Sequence, residues 1–231
     1  MVLEVIRTAD GSDTLFQRDL NQHYHSTFGA IQESRHIFIE NGFKHAIKEM
    51  HPGTGNMAEI LSILEIGFGT GLNALLTQAG AEKHGVRVHY TALELFPLKK
   101  TYWEALNYPY LAGECDYSQV FPKLHSAKWD KPQEISPHFM LHKVHDTLEA
   151  FLPAAGTFDL VYFDAFGPDA QPELWTADIF RTLCKGMSAR GILVTYSVKG
   201  TVVRALRSAG FRAEKLAGPP GKRHILRAVK L

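Results

Sequence analysis

The stretch Leu61-Ser-Ile-Leu-Glu65-Ile-Gly67-Phe-Gly69-Thr-Gly71-Leu-Asn73 constrains this chain more than any other. Its apolar run, Ile60 to Ile66, reads as a buried strand. Three glycines follow at alternate positions, and then Leu72, Leu75, Leu76 and Ala79 recur at helical spacing. Strand, glycine turn and helix together open a nucleotide-binding α/β unit. The glycines have separate uses: a sharp turn, close approach of the backbone to a ligand, and close packing of helix on strand.

Position 72 is Leu, so the pattern is Gly-x-Gly-x-Gly and not the Gly-x-Gly-x-x-Gly of dinucleotide sites. Glu65 stands two residues before the first glycine. A carboxylate there would repel a pyrophosphate and suits a ligand with a cationic end, such as the ammonium of S-adenosylmethionine (SAM). A second acid, Glu94, follows the apolar segment Val88 to Leu93, near the roughly 20-residue offset at which an acid grips ribose hydroxyls. The glycines alone fit a structural turn; with Glu65 and Glu94 they point to a SAM site.

A chain of 231 residues can bury one good core. The expectation is a single domain, with residues 1–58 an accessory hairpin and helix and 59–231 a SAM-binding α/β core. No apolar run approaches the ~20 residues of a membrane span, and the N-terminal residues lack the pattern of a secretory signal. Cys115 and Cys184 form no motif, which fits reduced thiols in a cytoplasmic protein. Net charge is +1, but residues 181–231 hold 12 Lys/Arg and one acid, while 1–180 hold 13 Lys/Arg and 23 acids. Charges of +11 and −10 suggest a polyanionic partner for the C-terminal face; the competing reading is that the two sets face each other or solvent. His23/His25 and His142/His145 lack further recognisable ligands, so no metal is expected.

Residues 3–18 read as a β-hairpin about Ala9-Asp10-Gly11-Ser12. A loop follows over 19–30. Then comes a helix from Ile31 to Phe43, with Ile31, Ser34 and Phe38 inward. Gly42 and Pro52-Gly53-Thr54-Gly55 are read as breaks, and Asn56 to Glu59 lead into the first strand. The helix after the glycine turn ends near Gly80 to Gly85, strand two ends at Leu93-Glu94-Leu95, and Phe96-Pro97-Leu98 starts another helix. Residues 107–137 read as a helix plus loops. Phe139 to Val144 is strand three, ending at His145-Asp146. Thr157 to Asp164 is strand four, continuous and apolar as a central parallel strand should be. A helix holding Ile179 and Leu183, a turn over Gly186 to Gly191, strand five over Ile192 to Tyr196 and a basic helix over Val202 to Ala209 follow. Phe211 to Leu216 and Ile225 to Val229 close the chain as an antiparallel pair.

This is the plan of a Rossmann-like, class I SAM-dependent methyltransferase: α/β, with a mostly parallel seven-stranded sheet, an antiparallel last strand and an N-terminal hairpin-and-helix extension. Ligands in such sheets lie outside the C-terminal ends of the strands. Glu65, Glu94, Asp146 and Asp164 are all placed at those ends, converging on one rim.

At Asp164-Ala-Phe166-Gly-Pro168, taken with Gly67 to Asn73, the sequence resembles the methyltransferase domain of the bacterial MnmC-type enzymes. The likeness runs from about Asp19 to Arg227. It includes Tyr24, Gly29, Glu33, Arg35 and Phe38; Glu94-Leu-Phe-Pro-Leu98; Pro172 and Trp175; and Val203-Arg204 through Gly210-Phe211 to Gly221-Lys-Arg223. The resemblance implies methyl transfer from SAM to the primary amine of a 5-aminomethyl-2-thiouridine at the tRNA wobble position. Many relatives carry a fused flavin-dependent oxidase; with Leu231 as the last residue, no flavin chemistry is expected here.

Gly67, Phe68, Gly69, Thr70, Gly71 and Asn73 are expected to shape the methionine side of the cofactor site, with Glu65 near the ammonium and Glu94 and Leu95 at the ribose. Asp146 is placed beside the adenine; as Asp before Thr147-Leu-Glu149 it also suits a helix cap. Asp164 is the catalytic candidate. An alkylamine has a pKa near ~10, so Asp164 would accept an N–H, aim the lone pair and take or relay a proton; orientation is favoured over strong general-base action. The alternative is a structural strand-end acid. Phe166 and Pro168 are candidates for a wall against the uracil ring, or for plain packing, and Trp175 reads as core. Lys199, Arg204, Arg207, Lys222 and Arg223 are candidates for phosphate contacts, each otherwise a solvated charge. Two other readings compete: a spermidine-synthase-like aminopropyltransferase, which usually has another acid three residues after the strand-four Asp where this chain has Gly167, and a non-catalytic tRNA-binding module.

Overall fold

The structure is a computed structural model that describes residues 2–50, 60–113 and 117–231. The expected break at Pro52-Gly53-Thr54-Gly55, the lead-in from Asn56 to Glu59, and Cys115 lie outside the described residues. A hairpin of β1 (Leu3–Arg7) and β2 (Asp13–Gln17) opens the chain, and β3 (Gln22–His23) adds to β2, giving a small three-stranded sheet. Helix α1 follows as three consecutive segments, Ala30–Ser34, Arg35–Phe43 and Lys44–Met50. The middle segment has widened turns; the Lys44 amide donates to the Ile39 carbonyl, five residues back.

The main sheet is built from β4 (Ile60–Ile66), β5 (Arg87–Leu93), β6 (Gln133–Ser136), β7 (Phe139–Val144), β8 (Phe158–Phe163), β9 (Met187–Thr195), β10 (Phe211–Ala217) and β11 (His224–Lys230). Their order is β10-β11-β9-β8-β4-β5-β7-β6. Strands β7, β5, β4, β8 and β9 run parallel, and β11 is antiparallel between β9 and β10. These are the seven expected strands. An eighth, β6, pairs antiparallel with β7 at the far edge; its four residues lie within 107–137, too short and polar to register as a strand. Helices α2 (Leu72–His84), α3 (Lys100–Trp103), α4 (Tyr108–Leu111), α5 (Val120–Ser126), α6 (Ala177–Gly186) and α7 (Gly200–Ser208) complete the layers.

The central strands read as unbroken apolar runs because both sheet faces are covered. Leu61 and Ile63 of β4, with Leu160 and Tyr162 of β8, join one core beneath α1 and α2. Leu64 and Ile66, with Val161 and Phe163, join the other beneath α6 and α7. This is strand alternation with apolar residues on both sides. Leu15, Ile31, Phe38 and Phe43 of the N-terminal extension belong to the same core as Ile63. Full burial of such side chains stabilises the fold by about 1.5–3 kcal/mol each, so the hairpin and α1 are part of the main core.

Three local expectations are corrected. Gly42 does not break α1. A Cβ there would stand 3.0 Å from Val194 and 3.1 Å from Tyr162, so the glycine lets the helix lie close on β8 and β9. The helix expected at Phe96 starts at Lys100; the Glu94 carboxylate takes the Phe96 amide at 2.8 Å and holds that segment as a turn. The stretch Gly186 to Gly191 is largely strand, since β9 begins at Met187 with an irregular register against β8. Gly42→Ala should lower stability by about 1–3 kcal/mol through overpacking, measured by urea denaturation, with the β8–β9 face absorbing the shift.

Candidate active site

A cavity of about 1070 Å³ opens at the C-terminal ends of β4, β5, β7 and β8. Of the expected site residues, Gly67, Phe68, Gly69, Thr70, Asn73, Glu94, Leu95, Asp146, Asp164, Phe166 and Lys222 line it. Glu65, Gly71, Pro168, Lys199, Arg204 and Arg223 lie outside its wall.

The β4–α2 turn is built by glycine geometry. Gly67, Gly69 and Gly71 have φ of 90°, 49° and 72°, a region that costs other residues strain. A Cβ on Gly67 would meet the Asp164 carbonyl at 3.1 Å, and one on Gly71 would meet His125 Nε2 at 2.8 Å. The first glycine therefore lets the turn touch the end of β8, and the third packs α2 on α5 and does not face the ligand space. Gly67 and Gly69 both border the cavity with their amides committed: Gly67 donates to the Leu93 carbonyl at 2.9 Å and Gly69 to Glu94 Oε2 at 3.0 Å. Glu94 Oε1 takes the Phe96 amide. A carboxylate offers about four lone-pair sites, so Glu94 keeps acceptor capacity for ribose hydroxyls. Burial pushes the Glu94 carboxyl above the usual range, against the pull of those backbone donors.

Glu65 points away from the ligand space. Alternation sends Leu64 and Ile66 to one face and Glu65 to the other, where it is fully buried. Asn73 from α2 stands between it and the cavity: its Nδ2 donates to Glu65 Oε1 at 2.9 Å and to Asp164 Oδ2 at 2.8 Å. Both amide hydrogens are used, and the buried Asn73 Oδ1 accepts no hydrogen bond from a described residue. An acceptor without a partner beside a glycine cradle and a ribose-ready acid fits SAM, whose ammonium needs acceptors. Burial raises both Glu65 and Asp164 well above ordinary carboxylates; the Asp164 charge adds to the shift of Glu65, Glu33 adds to that of Asp164, and Asn73 opposes both.

Asp146 lines the cavity and accepts from the Thr147 amide at 2.7 Å. No helix follows it; Thr147 Oγ1 takes the Ala150 amide and closes a turn instead. Phe166 faces the cavity edge-on to Tyr24, ring centres 5.0 Å apart. Its loop is stapled by Trp175 Nε1 on the Phe166 carbonyl and by Gln171 Oε1 on the Phe166 amide, and Trp175 is core, as expected. Lys199 is paired with Asp169. Arg181, Arg190 and Arg227 also pair with acids, so part of the C-terminal charge is answered within the protein. Arg204, Arg207 and Arg223 are exposed and make no ion pair with a described residue. Lys222 is the correction among the basic candidates: it turns inward, 3.2 Å from Glu33 Oε1.

Sequence reasoning gave no role to several groups that complete the cavity. Tyr24 lies against Gly69, and His25 Nε2 bonds Thr70 Oγ1 at 2.7 Å, so the N-terminal extension holds the glycine turn from outside. Burial drops the His25 imidazole to about 4, keeping it neutral. Glu33 was legible as an acid inside the apolar stripe Ala30, Ile31, Ser34, Ile37, Phe38. Tyr196 was legible as one more residue at a strand end.

A family described as S-adenosyl-L-methionine-dependent methyltransferase matches residues 120–231. The chain is 29% identical over 217 residues to the tRNA 5-methylaminomethyl-2-thiouridine biosynthesis bifunctional protein MnmC of Burkholderia multivorans, covering 88% of this chain and 31% of that protein. It is 32% identical over 219 residues to the protein of the same name from Magnetococcus marinus, covering 90% and 31%. The chain thus spans about a third of these relatives. Among solved structures, MNMC2 from Aquifex aeolicus superposes with a TM-score of 0.77 at 25% identity, over 100% of this chain and 70% of that one. A probable spermidine synthase from Corynebacterium glutamicum has a TM-score of 0.51 at 15% identity, over 99% and 76%, a likeness of fold alone. The fold is that of class I SAM-dependent methyltransferases, and the resemblance to the MnmC type is borne out.

Because its folded-state value is raised above the unfolded ~4.5, Glu65 adds stability that is complete below that pH and is lost as pH rises through the folded value. Glu65→Gln should remove this dependence. Denaturant melts from pH 4 to 9 should show the variant gaining on the wild type as pH increases.

Proposed function

We propose that this chain, an MnmC-like methyltransferase segment, is a SAM-dependent N-methyltransferase that converts 5-aminomethyl-(2-thio)uridine to 5-methylaminomethyl-(2-thio)uridine at the wobble position of tRNA. The observation that carries the reading is Asp164: it stands in the cavity wall beside the glycine turn, its carboxylate fixed by Asn73. When bound, SAM supplies a methyl group on a sulfonium sulfur; the amine lone pair forms the N–C bond as the C–S bond breaks with its electrons to sulfur, and the nitrogen then loses one proton.

The chain's own residues supply position and charge. Glu94 and Asp146 mark the nucleoside end of the cavity and Asn73 Oδ1 the ammonium end. Asp164 accepts one N–H of the substrate amine, which turns the lone pair away from the carboxylate and toward the methyl group, and takes or relays the proton released. Alignment of this kind contributes much of the rate of an in-line displacement. Phe166 and Tyr24 present apolar faces to an extruded base. Arg204, Arg207 and Arg223 are the exposed cations available to phosphates. No helix of the described residues is long and apolar enough to cross a membrane, which fits a protein that meets tRNA in the cytoplasm. We read residues 1–231 as one domain, since the extension shares the core. No flavin step is assigned to this segment, so the amine is supplied by a separate reaction.

The aminopropyltransferase reading is less well supported. The next acid after Asp164 is Asp169, which is exposed and paired with Lys199 outside the cavity. A non-catalytic tRNA-binding module would have no use for the buried bridge of Glu65, Asn73 and Asp164.

With tRNA from a strain lacking this methylation, purified protein and SAM should incorporate one methyl group per aminomethyl uridine. Aminopropyl transfer from decarboxylated SAM into putrescine, with no methyl transfer from SAM into such tRNA, would move the assignment to the aminopropyltransferases. Asp164→Asn should reduce kcat/KM by about 100-fold or more with SAM affinity changed little, as read by calorimetry. Arg204→Ala with Arg223→Ala should weaken tRNA binding and lower the slope of log affinity against log salt by about two; an unchanged slope removes these residues from the interface.

A further inference from the structure

Four groups from four parts of the chain meet at one side of the cavity. Lys222 comes from the β10–β11 loop, Glu33 from α1, Tyr196 from just past β9 and Asp164 from the end of β8, and all four line the space. Lys222 Nζ stands 3.2 Å from Glu33 Oε1 and 4.6 Å from the centre of the Tyr196 ring. Glu33 is 7% exposed, and its other oxygen takes the Ser26 amide at 2.7 Å. The Tyr196 hydroxyl donates to the Ala165 carbonyl at 2.8 Å, which fixes the ring. A lysine, ordinarily a mobile surface charge, is here held between a carboxylate and an aromatic face. Among the described residues that line the cavity it is the one lysine or arginine.

The proposed methyl transfer needs an amine without its extra proton, and the carboxylates around this point favour the protonated form. A nearby cation has the opposite effect. We propose that the Lys222 ammonium, pinned by Glu33 and the Tyr196 ring, opposes protonation of the substrate's aminomethyl group, so that Asp164 aims a free lone pair instead of holding an ammonium. The proposal rests on the methyl-transfer reading above. It also explains why Lys222 turns inward while its neighbour Arg223 remains exposed. The charged and titratable groups facing this point are Glu33, Asp164 and Tyr196, with Glu65 behind Asn73; the rest of the cavity lining carries Asp19, His23, Tyr24, His25, Glu94, Asp146, Glu149 and Glu173. Lys222 is coupled to Asp164 directly, lowering the carboxyl's proton affinity against the effect of burial and of Glu33.

The test is the pH dependence of kcat, at saturating tRNA and SAM, for methyl transfer to aminomethyl-uridine tRNA between pH 6 and 10, because kcat reports groups in the bound complex. Activity should rise with pH until the amine is neutral. In Lys222→Met this rise should move up by about one pH unit, a roughly tenfold loss at pH 7 that is recovered near pH 10. Lys222→Arg should restore the wild-type profile. Glu33→Gln removes the opposing charge and should move the rise to lower pH, so the two substitutions shift it in opposite directions. Calorimetry of tRNA binding at pH 8, in two buffers of different ionisation heat, should show fewer protons released by Lys222→Met than by the wild type. The idea is overturned if Lys222→Met loses the same factor at every pH, or if the proton count is unchanged and the salt slope of tRNA binding falls by about one, the signature of a phosphate contact. If Lys222→Met does not fold, an unshifted profile in Glu33→Gln overturns it instead. A wild-type protein that transfers no methyl group to this tRNA sinks the parent reading, and this inference with it.

Discussion

One carboxamide ties the site to the fold. Asn73, at the start of α2, gives both amide hydrogens to acids on adjacent strands, Glu65 on β4 and Asp164 past β8. Burial raises the proton affinity of each carboxyl, and one donor group answers both. An unanswered buried acceptor costs about 1–3 kcal/mol, so the helix cannot rotate or slide without breaking two such contacts. The glycine turn immediately before Asn73 inherits that rigidity. Its φ values are strained for any other residue, and the bridge over-determines them.

The N-terminal extension acts on the same turn from the other side. His25 reaches Thr70, Tyr24 covers Gly69, and Glu33 holds Lys222. A hairpin placed before the nucleotide unit reads as an appendage when judged by chain order. Its contacts make it the outer wall of the ligand space. Gly42 belongs to the same arrangement, because the close approach of α1 to β8 and β9 sets where Glu33 enters the cavity.

Much of the sheet was legible because burial on both faces leaves a continuous apolar signature, as in Thr157 to Asp164. The glycine turn was legible because few conformations tolerate that spacing. The edge strand β6 was not, since Gln133–Ser136 is short, with Ile135 its one apolar residue, and is held by β7 alone. The strand-end rule put Glu94, Asp146 and Asp164 on the rim, where they line the cavity; Glu65 lies instead on the covered face of β4, because position along a strand does not give the face. Lys222 read as a phosphate contact or a solvated charge from its setting in Gly221-Lys222-Arg223. Only the distant acid on α1 reveals that it turns in, and no local pattern in sequence contains that partner.

Phe28 and Gly221 come from opposite ends of the chain, and the Phe28 ring occupies the space any side chain at Gly221 would need. The cavity wall is therefore a seam between an earlier and a later part of this sequence. Domains fold largely as units during synthesis, and here the ligand space is complete only after the β10–β11 loop docks. A nascent chain halted before that loop would carry the glycine turn and most of the core, yet would lack Lys222 and the glycine against which the Phe28 ring packs.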